Sequence, residues 1–297
     1  MKAFDSYNPI AVFTYFASVI TIGMFCLNPV TMNPLILFLS LAGSITTFII
    51  RNRASGAKSH LFFLGMLLLL TLLNPLFNHN GVTVLLIINN NPITLEAILY
   101  GAASASAIIS VIYWFRSFSQ IMTSDKLLYI LGNISPKFAL ILSMTLRYVP
   151  MFENQTQKVI QAQRGLGLYS DTDFMSRVRG GTRVFSVMVT WALENGVITS
   201  DSMTARGYGI TKRTFFSIFK FRRQDILLTV LSVVLFGAIL AGVISGSVNF
   251  SFYPEISHAE TTVISVITYI SYGLLAFLPV IIEAEEELRW KYLKSKI

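Results

Sequence analysis

Two arginines stand out by the glycines behind them. Arg164-Gly165-Leu166-Gly167 and Arg206-Gly207-Tyr208-Gly209 repeat the pattern Arg-Gly-x-Gly forty-two residues apart. A guanidinium carries a rigid fork of N–H donors that matches a carboxylate, so an arginine released at a helix end can grip an acidic partner surface. The same pattern also serves plain capping, because a basic side chain suits a helix C-terminus and a glycine closes it. Both readings predict a helix end at each site. Only the first predicts a partner.

Other chemistry finds no foothold. His60, His79 and His258 are far apart and Cys26 is the single cysteine, so neither a metal cluster nor a disulfide is expected. Gly56-Ala57-Lys58-Ser59 is the nearest approach to a phosphate-binding loop, but it lacks the G-x-x-x-x-G-K-[ST] spacing and reads as a loop with a topology-setting lysine. No nucleophile elbow or HExxH helix is present. A non-catalytic chain without a cofactor or metal of its own is expected.

The elements that position the arginines are read from composition. Of 297 residues, 54% are hydrophobic and 13% charged, about half the charge of a soluble domain, and mean hydropathy is +0.63. An all-α polytopic membrane protein is expected. Six runs approach the roughly 20 apolar residues that cross about 30 Å of hydrocarbon: Ile10 to Leu27, Leu35 to Ile50, Leu61 to Phe77, Leu95 to Phe115, Ile226 to Ile244 and Val263 to Ile282. The run Val82 to Ile88 is a candidate re-entrant piece. Gly101 to Ala107 is a small-residue stretch suited to close helix packing inside the chain's own bundle.

Basic residues are fully sorted. Lys2, the group Arg51, Arg53 and Lys58, fifteen residues between spans four and five, and the tail Arg289, Lys291, Lys294 and Lys296 make up all 23, and the three alternate loops have none. Cytoplasmic loops are enriched in Lys and Arg, so both termini and the large insert are expected on the cytoplasmic side of the cell membrane, with Arg51, Lys58 and Arg213 inside and Asn80 and Ser257 outside. The net charge of +8 is then topology and no nucleic-acid footprint. The organisation expected is residues 1–115 with four spans, a cytoplasmic insert at 116–224, and residues 225–297 with two spans and a tail.

The insert is too long for a plain loop. Thr123-Ser124-Asp125 caps a first helix, and Asn133 to Pro136 ends it. Phe138 to Tyr148 is apolar, and Pro150 is expected to kink or break the helix there. Beyond it, Phe152, Thr156, Val159 and Ile160 fall on one side and Glu153, Gln157, Lys158, Gln161 and Arg164 mostly on the other. A further helix is expected from about Thr182 to Ala205. Asp201 could orient Arg206 or pair with Lys212 or Arg213, and Glu287 with Lys291 forms an i,i+4 pair in the tail.

Leu146-Arg147-Tyr148-Val149-Pro150, then Gln161-Ala162-Gln163-Arg164-Gly165, then Ser202-Met203-Thr204-Ala205-Arg206-Gly207-Tyr208, resembles the transmembrane T component of energy-coupling factor (ECF) transporters, the family that includes cobalt-transporter permease subunits. The resemblance covers roughly Ser124 to Asp225. It implies coupling helices whose Ala-Arg-Gly motifs dock onto two ATP-binding-cassette subunits, which bind the ATP and Mg, and an S component that binds a vitamin or transition metal. The second motif is intact as Ala205-Arg206-Gly207. In the first, alignment on Ala162-Gln163 puts Leu166 at the arginine position, whereas the internal repeat puts Arg164 there with Gln163 for the alanine. Gln163-Arg164-Gly165 is the expectation, since leucine cannot make the charge-assisted contact. Arg147, Pro150 and Asp201 are carried over as structural motif residues.

The alternatives are an autonomous secondary transporter or channel and a membrane-embedded enzyme. The first normally needs ionisable groups within its spans, and only Glu96 approaches one. The second has no constellation to work with.

Overall fold

A computed structural model describes residues 3–25, 32–51, 56–78, 80–88, 91–168, 174–210, 219–253, 256 and 262–296, with the side chains of 3, 25, 56–59, 88 and 91 excepted. Lys2, Cys26, Arg53, His79, Lys212, Arg213, Ser257 and His258 lie outside the described residues. The chain is almost entirely helical: α1 Pro9–Phe25, α2 Pro34–Arg51, α3 Gly56–Phe77, α4 Leu95–Ile121, α5 Ser124–Ile134, α6 Pro136–Gly165, α7 Phe174–Ala205, α8 Arg223–Ile244 and α9 Val263–Lys294. Two compact units share it. One holds Met1–Leu127 with Phe219–Ile297, and the other holds Leu128–Ile218.

In the first unit α1, α4, α2, α9 and α8 contact one another in a closed ring, and α3 lies outside it against α4. The burial agrees: only 11% of the α3 span is buried, against 44% in α9. Tyr15, Phe16, Trp114, Tyr272 and Leu275 fill the ring and are fully buried. Tyr15 and Phe16 meet Trp114 edge-on with ring centres 6.4 and 6.2 Å apart, and the Tyr15 hydroxyl donates to the Leu275 carbonyl at 3.1 Å. In lipid the drive to associate is packing rather than water exclusion, which explains these fitted aromatics and the small residues beside them. Gly101 makes the point: a Cβ there would stand 2.9 Å from the Thr71 carbonyl oxygen of α3, so the small stretch packs within the chain as expected.

Five helices have the length and apolarity to cross a bilayer, and α1, with 17 residues, is a shorter apolar helix. The Val82 to Ile88 run does not re-enter. It forms β1 Val84–Ile88, paired antiparallel with β2 Asn91–Thr94, with Leu86 opposite Ile93 and Ile88 opposite Asn91. Glu96, in the first turn of α4 and only 3% exposed, accepts from the Thr83 amide at 3.2 Å and hydroxyl at 2.7 Å. The one acidic side chain near an expected span thus ties the hairpin to the start of α4.

The opposite end of this unit is held by charge. Arg51 donates to both Asp5 oxygens at 2.9 and 3.2 Å and to the Gln120 carbonyl at 3.0 Å, while the Lys126 ammonium donates to the Asp5 carbonyl at 2.9 Å. Burial pushes Lys126 below its usual value, Asp5 opposes the shift and Arg51 adds to it. Asp225, 3% exposed, accepts from the amides of Asn8 and Arg222, each at 2.8 Å. It therefore caps α8 and fastens the segment before α1, two hundred residues away in sequence.

Candidate docking site at the helix ends

The second unit is built on α6 and α7. Their packing starts from the alternation predicted for α6: Phe152, Thr156, Val159 and Ile160 are partly buried, and Glu153, Gln157, Lys158, Gln161 and Arg164 are exposed. Phe152 meets Trp191 of α7 at 5.2 Å and 90°, and the Tyr148 hydroxyl lies 2.6 Å from the Thr199 hydroxyl. Val184 and Met188 of α7 are buried. Little else is. Phe138, Phe174, Phe185 and Leu193 are each at least 67% exposed.

These helices differ from expectation at two points. Of the kink or break expected at Pro150, the break does not occur, since α6 runs from Pro136 to Gly165 with Pro150 inside it. Proline removes one amide donor, and at this exposed position the single lost bond is tolerated within a 30-residue helix. The helix expected from Thr182 begins at Phe174, because Gly180 and Gly181 are absorbed in its interior. The start at Ser124 and the end before Pro136 agree with the first helix expected, and Pro136 occupies the first turn of α6.

Both helices end in the same closure. After α6 the Leu168 amide donates to the Gln163 carbonyl at 2.9 Å and the Gly167 amide to the Arg164 carbonyl at 3.0 Å. After α7 the Tyr208 amide donates to the Met203 carbonyl at 3.0 Å and the Gly207 amide to the Thr204 carbonyl at 2.9 Å. These paired bonds are the Schellman pattern, which needs a left-handed residue just past the cap. Gly167, with φ +69°, and Gly207, with φ +78°, supply it.

This closure sets a register that the repeat did not predict. Gly167 corresponds to Gly207, so Leu166 corresponds to Arg206 as the capping residue, and the offset is forty residues. Arg164 sits two positions earlier, inside the last turn, where a helix turns by about 200° between the two. The signal was present in the sequence: the left-handed glycine of this motif is followed by a large apolar residue, here Leu168 and Tyr208.

Ala205, Arg206, Arg164 and Gly165 are exposed, as are Arg147, Pro150 and Asp201, and Gly207 is partly so. Gln163 differs. It is 7% exposed, on the face that carries Phe152, Thr156 and Ile160, so its side chain belongs to the packed side of α6. Among the described residues the side chains of Arg206 and Asp201 have no partner, so Asp201 does not orient Arg206. Sequence reasoning missed Arg183, whose guanidinium donates to the Leu168 carbonyl at 3.3 Å and steadies the turn after α6. Among the described residues no three His, Cys, Asp or Glu side chains gather into a metal site. The site is thus two exposed, glycine-closed helix ends on one unit. In the tail, Lys291 and Glu287 pair at 4.0 Å as expected.

The family model for cobalt transport proteins, CbiQ, matches residues 8–215, a span containing both helix ends. The energy-coupling factor transporter transmembrane protein EcfT of Listeria innocua is 27% identical over 183 residues, covering 58% of this chain and 69% of that protein. The EcfT of Lactobacillus helveticus is 27% identical over 106 residues, 35% of this chain and 38% of that protein. An uncharacterized MG181 homolog of Mycoplasma pneumoniae is 29% identical over 125 residues, 41% of this chain and 28% of that protein. The chain thus spans well under half of the last two. Because the family match covers more than half of the 297 residues and agrees with an apolar helical ring bearing a two-helix insert, the chain belongs to the CbiQ family, the EcfT/CbiQ-like transmembrane T components of ECF transporters.

Proposed function

We propose that this chain is the non-catalytic coupling subunit of an ATP-driven importer for a vitamin or a transition metal. It passes the closing and opening of two associated ABC ATPases, which bind ATP and Mg, to a membrane-embedded S component that binds the substrate. Both termini and the insert at 116–224 lie on the cytoplasmic side of the cell membrane, flanked by the membrane segments 1–115 and 225–297.

One observation carries this reading: the two longest helices of the insert end in the same glycine-closed cap, and Arg206 stands on one of them, exposed and without a partner among the described residues. A helix of 30 residues is about 45 Å long at 1.5 Å per residue, and a rigid rod of that length transmits a displacement applied at its end. The guanidinium is the group best suited to make that end adhere to an acidic groove. The exposed apolar side chains of α6 and α7 supply the further surface that a partner would cover. The rival reading of an autonomous transporter is weakened because Glu96 is engaged by Thr83.

The test is affinity purification of the tagged chain after co-expression with its chromosomal neighbours. Two ATP-binding subunits and one small membrane protein should co-elute. Substrate uptake into liposomes that contain this chain alone would overturn the proposal.

A further inference from the structure

A second feature of the membrane unit is unrelated to the helix ends. A cavity of about 570 Å³ lies along α8 and α9, lined by Leu227, Leu231 and Leu235 of one and Leu274, Leu278 and Ile281 of the other. At one end it reaches Tyr7, Arg223 and Glu285. From Arg223 to Leu235 the groove runs along twelve residue steps, about 18 Å at 1.5 Å per residue. That is close to one leaflet, half of the roughly 30 Å hydrocarbon thickness, and too short for a crossing helix to be seated along its whole length.

The charged end narrows the choice of occupant. Arg223 and Glu285 are both exposed and line the same cavity, yet among the described residues neither has an ion-pair partner. Asp225 holds the Asn8 and Arg222 amides and makes no ion pair with Arg223 among the described residues. Burial raises the Tyr7 hydroxyl above the usual phenol value, and Glu285, then Asp225, then Glu286 add to it, which puts the Glu285 charge within reach of the rim. A positive and a negative group at one mouth, separated by the ligand rather than paired with each other, complement a headgroup that itself bears both signs. We propose that the groove between α8 and α9 is a binding site for a zwitterionic glycerophospholipid, with one acyl chain along the leucines, the phosphate at Arg223 and the ammonium at Glu285.

The site is tested on the full chain reconstituted in nanodiscs of equimolar phosphatidylethanolamine and phosphatidylglycerol, then extracted and washed with detergent, with retained lipid counted by mass spectrometry. The chain should keep about one lipid, phosphatidylethanolamine in preference to phosphatidylglycerol. Glu285→Gln, at an exposed position, should lower that preference by about two- to fivefold, the scale of a partly solvated ion pair, whereas Arg223→Gln, also exposed, should lower retention of both lipids by a similar factor, since both carry the phosphate. Leu231→Trp should displace the lipid while the helical circular dichroism is unchanged. Equal retention of the two lipids by the unaltered chain would overturn the proposal, as would retention by Leu231→Trp equal to that of the unaltered chain.

Discussion

The helical ring and the α6–α7 unit both show large apolar side chains at their surfaces, but the two exposures differ in meaning. Leu72 on α3 is 66% exposed and Phe185 on α7 is 71% exposed. Around α3, acyl chains are as apolar as leucine, so the exposed face is at equilibrium with its solvent and calls for no partner. The α6–α7 unit lies in the stretch that carries fifteen of the 23 basic residues, where the sorting of charge predicts water. In water the same exposure is what a surface that a partner covers would show, as proposed above. The ring buries Tyr15, Phe16 and Trp114 fully, while among the described residues of the α6–α7 unit no aromatic is buried and Phe138, Phe174, Phe185 and Tyr208 are exposed. Stability is thus expected to reside in the first unit and association in the second.

Substitutions can break that division. The largest loss is expected for Trp114→Ala, which removes a fully buried indole from the ring and should cost about 3 to 5 kcal/mol, read as a lowered Tm in detergent. Phe185→Ala, an exposed aromatic of similar kind, should change Tm by no more than about 0.5 kcal/mol allows. An equal fall in both would end the comparison. Next comes Asp225→Ala, which leaves the amides of Asn8 and Arg222 without their acceptor and should cost about 2 to 4 kcal/mol. Phe152→Ala should cost about 1 kcal/mol beyond lost contact area, and hydrogen exchange should rise in α6 and α7 while the ring stays protected. Apart from the Phe185→Ala comparison, the smallest effect is expected for Gly207→Ala, at about 1 kcal/mol for a left-handed residue at φ +78°, visible as faster exchange at Tyr208 alone.

The sequence was most legible where one physical rule acted alone. Hydropathy located the helices of the ring, since nothing else sustains runs as apolar as Ile226 to Ile244. Val82 to Ile88 was read as a candidate re-entrant piece because a short apolar run does not by itself distinguish a strand from a helical segment, and its antiparallel pairing with Asn91–Thr94 makes Val84–Ile88 a strand. Pro150 was expected to kink or break its helix and the second long helix to start near Thr182, whereas α6 continues through Pro150 and α7 starts at Phe174, because local preference yields to long helices with packed faces. The docking residues were legible as types, with Arg206 at a cap, but not as a register. The repeat aligned Arg164 with Arg206, whereas the hydrogen bonds align Leu166, because sequence similarity weighs the arginine and the cap weighs the left-handed glycine. Burial of Gln163 is explained by its place seven residues after Thr156, a periodicity that the motif alignment set aside.

The central claim is that Arg206 holds a partner and does little for the fold. Its direct measurement is the affinity of co-expressed ATPase subunits for Arg206→Ala, with Tm of the same sample as control. Affinity should fall by about 2 to 5 kcal/mol, as when one member of a desolvated ion pair is removed, with Tm unchanged and Arg206→Lys recovering only part. In the same assay Arg164→Ala should weaken docking, and Leu166→Ala should be mild, if the charge at α6 matters more than the cap position. Undiminished affinity in the Arg164→Ala, Arg206→Ala double variant would contradict this role and leave Arg206 as a helix cap and Arg164 as an ordinary residue of the last turn of α6.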